Sequence, residues 1–445
     1  METTPACLRS ELNLFSQPPV QLSIDGGRWG EVVPLTSLDA GSRTVIEFVK
    51  GASAEHYYDL SKTLLYLKCK ITKGDGSSLG NGAKVAPVNN TLGSVFSQAD
   101  VWFNSELVSS SSSHYAYKSY LEAHLGSSKD VKNGRLSAAM YTEDSNLDEI
   151  DPESDSNPGL KYRYEKCGRN NTFELMGKPS CDIFNITRYL IPGVEIRVRF
   201  SASNNNFCLI APEGDNYKLN FVDAKLIFHR ISISPSLSLA IERTLERQPA
   251  IYPMVRTETR AFHVGDDRAD AMIDNLYAGE LPKRVTIGLV RNEAYNGDLK
   301  KNPYNFEHFG LTRAELFCDG ERVPWNELVL DCANASFLQA YYTLFTGADA
   351  LDTESTSGIS RDEYLDGSCL LVYDLTPDQS AASVTHVCPK RRANLRVKLN
   401  FSQKLPKTVN LLALFEFDNI MAIDKARKVT YDYTPPSPSN LRRHG

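Results

Sequence analysis

Alternation of apolar and polar residues is the dominant pattern along this chain. Residues 64–71 pass from an apolar run into strict alternation, and the same period of two recurs in residues 194–200 and 395–401. Because successive side chains of a strand point to opposite faces of a sheet, this period predicts half-buried β-strands. Further strands, most of them bounded by Gly, Pro, Asn or Asp, are predicted at residues 98–108, 219–233, 284–291, 313–318, 369–374 and 409–417.

Helical patterns are few and short. They cover residues 115–125, 237–245 and 336–345. The serine run 109–113 precedes the first of them, and a serine hydroxyl is predicted to cap that helix by accepting a free backbone N–H. Many strands and few helices predict an all-β protein whose helices lie in its loops.

The strands fall into two halves of similar length without a direct internal sequence repeat. Each half has room for the eight strands of a jelly roll with long loops, so the predicted fold is two tandem eight-stranded jelly-roll barrels. The predicted division is an N-terminal arm at residues 1–41, a first barrel at 42–234, a linker with a short helix at 235–249, a second barrel at 250–430 and a C-terminal tail at 431–445.

Composition narrows the classes of function. The formal net charge of −6 shows no excess of basic residues. Bulk electrostatic binding to nucleic acid is therefore not expected, and no specific nucleic-acid site is predicted. The sequence shows neither a secretory signal nor an apolar stretch long enough for a membrane span. Nine scattered cysteines without C-x-x-C spacing favour free thiols in a reducing compartment.

We identify no catalytic motif in the sequence. The chain lacks a nucleophile elbow, a phosphate-binding glycine loop with Lys-Ser/Thr and a zinc-binding H-E-x-x-H. The acidic residues 142–151 could hold calcium but lack the spacing of an EF-hand, so a solvated acidic loop is the favoured interpretation. We therefore predict no enzyme, no cofactor, and no catalytic, cofactor-binding or metal-ligating residues.

Four groups of segments, in order along the chain, resemble the double jelly-roll major capsid proteins, or hexons, of Polinton/Maverick elements and adintovirus-like viruses. The resemblance covers the chain from near residue 11 to near residue 432. The segments are 11–19 with 45–48 and 58–60; 95–104 with 107–108 and 115–122; 302–309 with 316–320; and 374–378 with 395–401 and 415–419.

The resemblance implies a capsid subunit. It implies a homotrimer that forms a pseudo-hexagonal capsomer, neighbouring capsomers that tile an icosahedral shell around double-stranded DNA, and contacts with penton and minor capsid proteins. The implied location is the virion capsid, with synthesis in the host cytoplasm and assembly in the nucleus or cytoplasm. Residues 1–34 are poorly periodic, which suggests an arm on the inner face of the shell.

Three alternatives remain open at this point. A cellular copy of the capsid gene could keep the fold without forming shells. A glycan-binding β-sandwich protein would also explain aromatic residues and long loops. A β-sandwich hydrolase could bring two carboxylates together only in space, so the sequence cannot identify such a pair.

Overall fold

The computed structural model of the protein describes residues 20–38, 45–80, 82–168, 171–212, 216–331, 334, 336–348, 350–351, 356–383 and 386–431. Its strands are β1 Ile24–Val32, β2 Val45–Lys50, β3 Tyr57–Lys73, β4 Ala86–Pro87, β5 Phe96–Phe103, β6 Glu106–Ser110, β7 Thr172–Gly177, β8 Ile196–Ala202, β9 Leu209–Ile210, β10 Tyr217–Ile233, β11 Ala250–Val264, β12 Asp270–Glu280, β13 Arg284–Arg291, β14 Leu311–Cys318, β15 Glu321–Val329, β16 Leu370–Asp374, β17 Arg392–Phe401, β18 Val409–Ile423 and β19 Val429–Thr430.

The helices lie between strands. They are α1 Thr91–Ser94, α2 Tyr115–Gly126, α3 Lys129–Asn133, α4 Pro158–Cys167, α5 Asn205–Cys208, α6 Pro235–Leu245, α7 Asn292–Asn296, α8 Leu338–Thr346 and α9 Arg361–Leu365. Short 3₁₀ turns cover Ser112–His114, Arg135–Ala139 and Asp182–Asn185. Of the predicted helices, 115–125 matches α2, 237–245 lies within α6 and 336–345 overlaps α8.

Each half of the chain forms two facing antiparallel sheets with the same strand order. In the first half the orders are β1-β10-β3-β7 and β2-β8-β5-β6, and in the second half they are β11-β18-β13-β16 and β12-β17-β14-β15. If the eight strands of these sheets are numbered 1 to 8 along each half, the two sheets of each half have the orders 1-8-3-6 and 2-7-4-5. This is the strand order of a jelly roll. The predicted all-β double jelly-roll fold is confirmed.

Alternating burial explains why the strands form. In β3 the side chains of Leu65, Leu67, Cys69 and Ile71 are buried while the residues between them are only partly so. A strand pairing that slipped by one residue would turn all four toward water, which fixes the register with β10. Buried apolar side chains from both halves form one continuous core cluster.

The sequence analysis missed strands in which apolar and polar residues do not alternate clearly. The predicted strand 98–108 is two strands, β5 and β6, joined by a turn in which Asn104 has φ 54°. Strand β1 was missed because three glycines interrupt it and most of its residues face solvent. Strand β11 was missed because it contains Pro253 and charged residues.

The first barrel begins earlier than predicted. Strand β1 pairs with β10 from Ile24 to Val32, so the prediction that residues 1–41 form an arm is wrong for this part. A deletion of residues 1–34 would remove a barrel strand, and a test of an arm therefore has to stop near residue 19. Residues 1–19 of the predicted arm and 432–445 of the predicted tail lie outside the described residues.

The predicted serine cap of α2 is also wrong. The residue before this helix is His114, and no side chain caps the helix there. Ser109 instead accepts the backbone N–H of Asp182, and Ser111 accepts that of Ala99. Among the described helices, none is both long and apolar enough to cross a membrane.

Close approach of two helices requires the glycine in α1. A Cβ on Gly93 would lie 2.7 Å from the Cβ of Ser119 in α2, closer than such atoms come. We expect Gly93→Ala to lower the free energy of unfolding by about 1–3 kcal/mol, because the two backbones would have to separate. Gly126→Ala is the control, since a Cβ there meets no atom within 4 Å. Urea unfolding measures both, and equal stability of the two variants would contradict the tight contact.

Candidate functional site at the junction of the two barrels

Helix α2 lies where the two barrels meet. Seven consecutive residues, Tyr115 to Leu121, are buried, so this part of the helix has no face toward solvent. A helix buried on all sides needs partners for every polar side chain that it carries. The partners of α2 come from both barrels, and they define the junction.

Asp182 is the polar centre of the junction. Its Oδ1 accepts hydrogen bonds from Lys118 of α2 and from the hydroxyl of Thr257 in β11, the latter at 2.7 Å. Its Oδ2 accepts the backbone N–H of Thr257 at 2.9 Å. Lys118, Asp182 and Thr257 are all buried. One carboxylate thus joins the first strand of the second barrel to a helix of the first barrel.

A second carboxylate lies beside this pair. The Glu122 carboxylate is 3.8 Å from the Lys118 amine. Burial raises the pKa of Glu122 to about 7, and Lys118 only partly offsets that effect. Burial alone would lower the pKa of Lys118, but Asp182 and Glu122 raise it above its usual value. One ammonium group is therefore shared by two carboxylates, and burial favours the protonated form of Glu122.

Glu122 also borders a cavity between the barrels. The cavity has a volume of about 780 Å³ within the described part of the chain. The outer face of the β11-β18-β13-β16 sheet contributes Arg284 and Glu416 to its lining, and α2 contributes Leu121 and Glu122. The lining is mixed in charge, and we find no constellation in it that would bind and turn over a substrate.

Stacked aromatic rings form the apolar part of the junction. Tyr120 of α2 stacks on Tyr304 with ring centroids 4.0 Å apart and planes 3° apart. Tyr117 meets the edge of Tyr304 at 5.9 Å. The Tyr304 hydroxyl is 2.6 Å from the Ser94 hydroxyl. Tyr304 lies in the second half of the chain, so its ring reaches across the junction. The tyrosines of α2 pack against the apolar ring, and Ser94 lies within hydrogen-bond distance of its hydroxyl.

His124 extends the contact between Tyr120 and the second half of the chain. His124 stacks on Tyr120, and its ring nitrogens lie 2.9 Å from the Tyr141 hydroxyl and 3.0 Å from the Ser368 hydroxyl of the second half. Burial lowers the pKa of His124 to about 3, so the ring is uncharged at neutral pH. The interaction is therefore a hydrogen-bonded bridge and not an ion pair.

A separate set of contacts joins the barrels near Arg427. Its guanidinium donates to the carbonyl of Pro192 at 2.6 Å, and its own carbonyl accepts from the side chain of Asn104 at 2.8 Å. The Tyr252 hydroxyl accepts the N–H of Ile191 and donates to the carbonyl of Tyr189. The two barrels are thus held at more than one place, which fixes their relative orientation.

The acidic segment 142–151 is partly solvated, with the side chains of Asp148 and Asp151 exposed and that of Asp144 buried, and its carboxylates pair with separate cations. Asp144 and Arg163 are a buried pair with Nη1–Oδ1 2.8 Å and Nη2–Oδ2 3.1 Å. Asp148 pairs with Arg291 of the second half, and Asp151 pairs with Lys84. Since the carboxylates point to separate cations, they do not converge on one ion.

Two stretches that carried the resemblance meet at this junction. Residues 115–122 form α2, and residues 302–309 supply Tyr304 and Phe306, both of which lie against Tyr120. Their separation in sequence gave no sign of this contact. Asp182 was not singled out, because a lone aspartate before an apolar pair has no distinguishing pattern.

One curated relative covers nearly the whole chain. It is the uncharacterized protein F54H12.2 of Caenorhabditis elegans, 27% identical over a match 437 residues long that covers 93% of this chain and 99% of the relative. No protein-family model matches the chain.

Solved structures define the class of fold to which the chain is similar. A chain of the Sputnik virophage has a TM-score of 0.64 at 12% identity and covers 100% of this chain and 98% of its own. The Faustovirus major capsid protein has a TM-score of 0.57 at 8% identity, covering 94% and 93%. The mavirus major capsid protein has a TM-score of 0.55 at 10% identity, covering 100% and 98%. The double jelly roll of this chain is therefore the fold of these viral proteins.

Removal of the Lys118 ammonium group tests the buried cluster of Lys118, Asp182 and Thr257. Lys118→Met keeps much of the side-chain volume but leaves Asp182 without its cation, so we expect the free energy of unfolding to fall by about 3–5 kcal/mol. Lys404→Met breaks the exposed pair of Lys404 with Asp267 and should cost no more than about 1 kcal/mol. Denaturant unfolding measures both variants. Similar small losses would show that the Asp182 cluster does not hold the barrels together.

Glu122 predicts a particular pH dependence. Its pKa is about 7 in the folded chain and about 4.5 without burial, so the unfolded chain releases the proton first as pH rises. The contribution of protonated Glu122 to the free energy of unfolding is fully present below about pH 4.5. It is lost as pH rises toward 7, which lowers the free energy of unfolding by at most about 3 kcal/mol. Glu122→Gln should remove this loss and be the more stable form at pH 8. Urea unfolding from pH 4 to 8 checks this.

The matched control for that series is the exposed Glu106. Glu106→Gln should keep the pH dependence of the unmodified chain. A stability difference between the unmodified chain and Glu122→Gln that stays constant from pH 4 to 8 would contradict the assignment.

Proposed function

We propose that this chain is a major capsid protein, the repeated subunit of an icosahedral viral shell around double-stranded DNA. Its role is structural and not catalytic. Three chains would form a pseudo-hexagonal capsomer with six barrels, and neighbouring capsomers would tile the shell. The observation that carries the proposal is the pair of jelly rolls with identical strand order, joined by buried contacts into one unit over the full length of the fold.

The architecture supports assembly in many copies. Unpaired sheet edges invite uncontrolled association, and a jelly roll is one of the architectures that limit it by packing two sheets against each other. Buried ties between the barrels would transmit a fixed orientation to every contact that a capsomer makes. Closed threefold symmetry would then limit association to a defined particle.

An exposed apolar segment supports contacts between subunits. Val20, Leu22, Trp29, Val33 and Leu35 all lie within residues 20–35 and are each more than half exposed. Soluble proteins that act alone rarely expose apolar side chains in such density. We infer that this segment is covered in the assembled trimer.

Further partners follow from the same role. The proposal includes penton and minor capsid proteins at the vertices and joints of the shell. With a net charge of −6, contact with packaged DNA would be indirect. Synthesis would take place in the host cytoplasm and assembly inside the cell, in nucleus or cytoplasm. Membership of the Polinton/Maverick group, with its adintovirus-like viruses, is part of this proposal.

The division of the chain is proposed in the same terms. The first barrel would run from β1 to residue 234, residues 235–249 with α6 would link the barrels, and the second barrel would run from 250 to 430. Residues 1–19 and 431–445 would be the segments left for an inner-face arm and a tail.

A cellular copy of a capsid gene is the second candidate. The full-length relative from Caenorhabditis elegans favours it, because that sequence belongs to an animal genome. Such a copy would keep both barrels and could keep the trimer, while shells would not form. A glycan-binding role has no comparable observation in its favour.

The state of the purified chain tests the proposal. We expect light scattering after size exclusion to give three times the mass of one chain, 49.6 kDa. Negative-stain electron microscopy should show hexagonal outlines and, at high concentration, closed shells. Trimers that never form shells would favour the cellular copy. A stable monomer at high concentration would contradict the capsid proposal.

A further inference from the structure

Three side chains of different chemistry converge in the connection between β16 and β17. They are the carboxylate of Asp378, the imidazole of His386 and the thiol of Cys388. One potential ligand atom from each lies within 4.8 Å of the others, and within the described residues this is the one group of three that could share a metal ion. None of these groups belongs to the core: His386 and Asp378 pair with each other at the surface, and the thiol of Cys388 lies beside them.

Their separations fit a small tetrahedral ion. The Nε2 of His386 is 3.0 Å from Oδ2 of Asp378, and the Sγ of Cys388 is 3.9 Å from Oδ1 of Asp378. Bond lengths of about 2.0–2.3 Å from Zn²⁺ to nitrogen, oxygen and sulfur place neighbouring ligands of a tetrahedron roughly 3.3–3.8 Å apart. Movements of less than about 1 Å would bring the three atoms to that geometry.

Polar contacts of the backbone hold the ligands in place. Asp374, at the end of β16, accepts hydrogen bonds from the backbone N–H groups of Thr376 and Ala381, which fixes the turn that carries Asp378. The N–H of Cys388 donates to Asp418 of β18 at 3.2 Å. Two of the three ligands are thus anchored to strands of the second barrel before any ion is bound.

We propose that Asp378, His386 and Cys388 bind a Zn²⁺ ion. Sulfur and nitrogen donors exclude the hard ions Ca²⁺ and Mg²⁺, which prefer oxygen, and the carboxylate with the thiolate balances the charge of a divalent ion. Water or the hydroxyl of Ser380, which is 3.1 Å from His386 Nε2 and 2.6 Å from Asp378 Oδ1, would complete the tetrahedron.

The ion would close a long surface connection on the second barrel. Asp378 and His386 are about half exposed, so an ion can reach the site from solvent. A link between residues 378 and 388 would restrict the connection much as a covalent cross-link does, and metal affinity would add to the stability of the folded chain. This inference does not depend on the proposed capsid role.

Metal content and a cobalt spectrum test the site. The full chain is stripped with a chelator, loaded with Zn²⁺, passed over a desalting column and analysed by mass spectrometry for metal. We expect about one Zn²⁺ per chain. Co²⁺ in its place should give the intense visible bands of a tetrahedral site and a near-ultraviolet charge-transfer band from a thiolate ligand.

Matched variants separate this site from other thiols. Cys388→Ser and Asp378→Asn should each lose the cobalt bands and fall to near zero bound Zn²⁺, while Cys318→Ser, at another half-buried thiol, should keep both. Circular dichroism checks that each variant is folded. An unmodified chain that retains no Zn²⁺, or a folded Cys388→Ser variant that retains it with the cobalt bands unchanged, would overturn the proposal.

Discussion

A carboxylate that is shut off from water has to be compensated where it lies, and Asp182 is compensated by groups from both halves of the chain. Lys118 supplies the charge from the first half, and Thr257 supplies two hydrogen bonds from the second. Separation of the barrels would remove both hydrogen bonds that Thr257 donates to Asp182, while Lys118 and Glu122 would stay beside it. These hydrogen bonds have fixed directions, so they set the relative position of the barrels together with the apolar contacts around them.

The same constraint explains why the rest of the junction is so specific. The stacked rings of Tyr120 and Tyr304 and the neutral bridge of His124 tolerate little displacement, because each ends in a hydrogen bond of fixed direction. A flexible pair of barrels would present a variable outline. A fixed pair presents one outline, which a subunit needs if many copies are to pack by identical contacts.

Local pattern was sufficient for much of the fold. Residues 64–71 and 395–401 alternate because one face of each strand is buried, and both lie in strands of the barrel core. Strand β1 has three glycines and an exposed surface, and β11 places charged residues among apolar ones, so neither has a simple period. Their pairing is decided by β10 and β18, which lie far away in sequence.

The junction could be predicted only in part. Residues 115–122 and 302–309 drew attention as segments of one resemblance, yet nothing local indicated that Tyr120 and Tyr304 touch. Asp182 could not be found from the sequence, since its importance comes from partners about 65 and 75 positions away. The converging ligands near Cys388 escaped notice as well, since His386 lies eight positions after Asp378, a spacing that matches no metal-binding motif.

Hydrogen exchange of the isolated chain, followed by mass spectrometry, tests most directly whether the barrels form one body. If the Asp182 cluster and the stacked rings hold the junction closed, amides of α2 and of β11 near Thr257 should exchange as slowly as those of β3 and β18, and all should open together in denaturant. Rapid exchange of α2 while the strands of both barrels stay protected would contradict the account, because the barrels would then be separate bodies on a common chain.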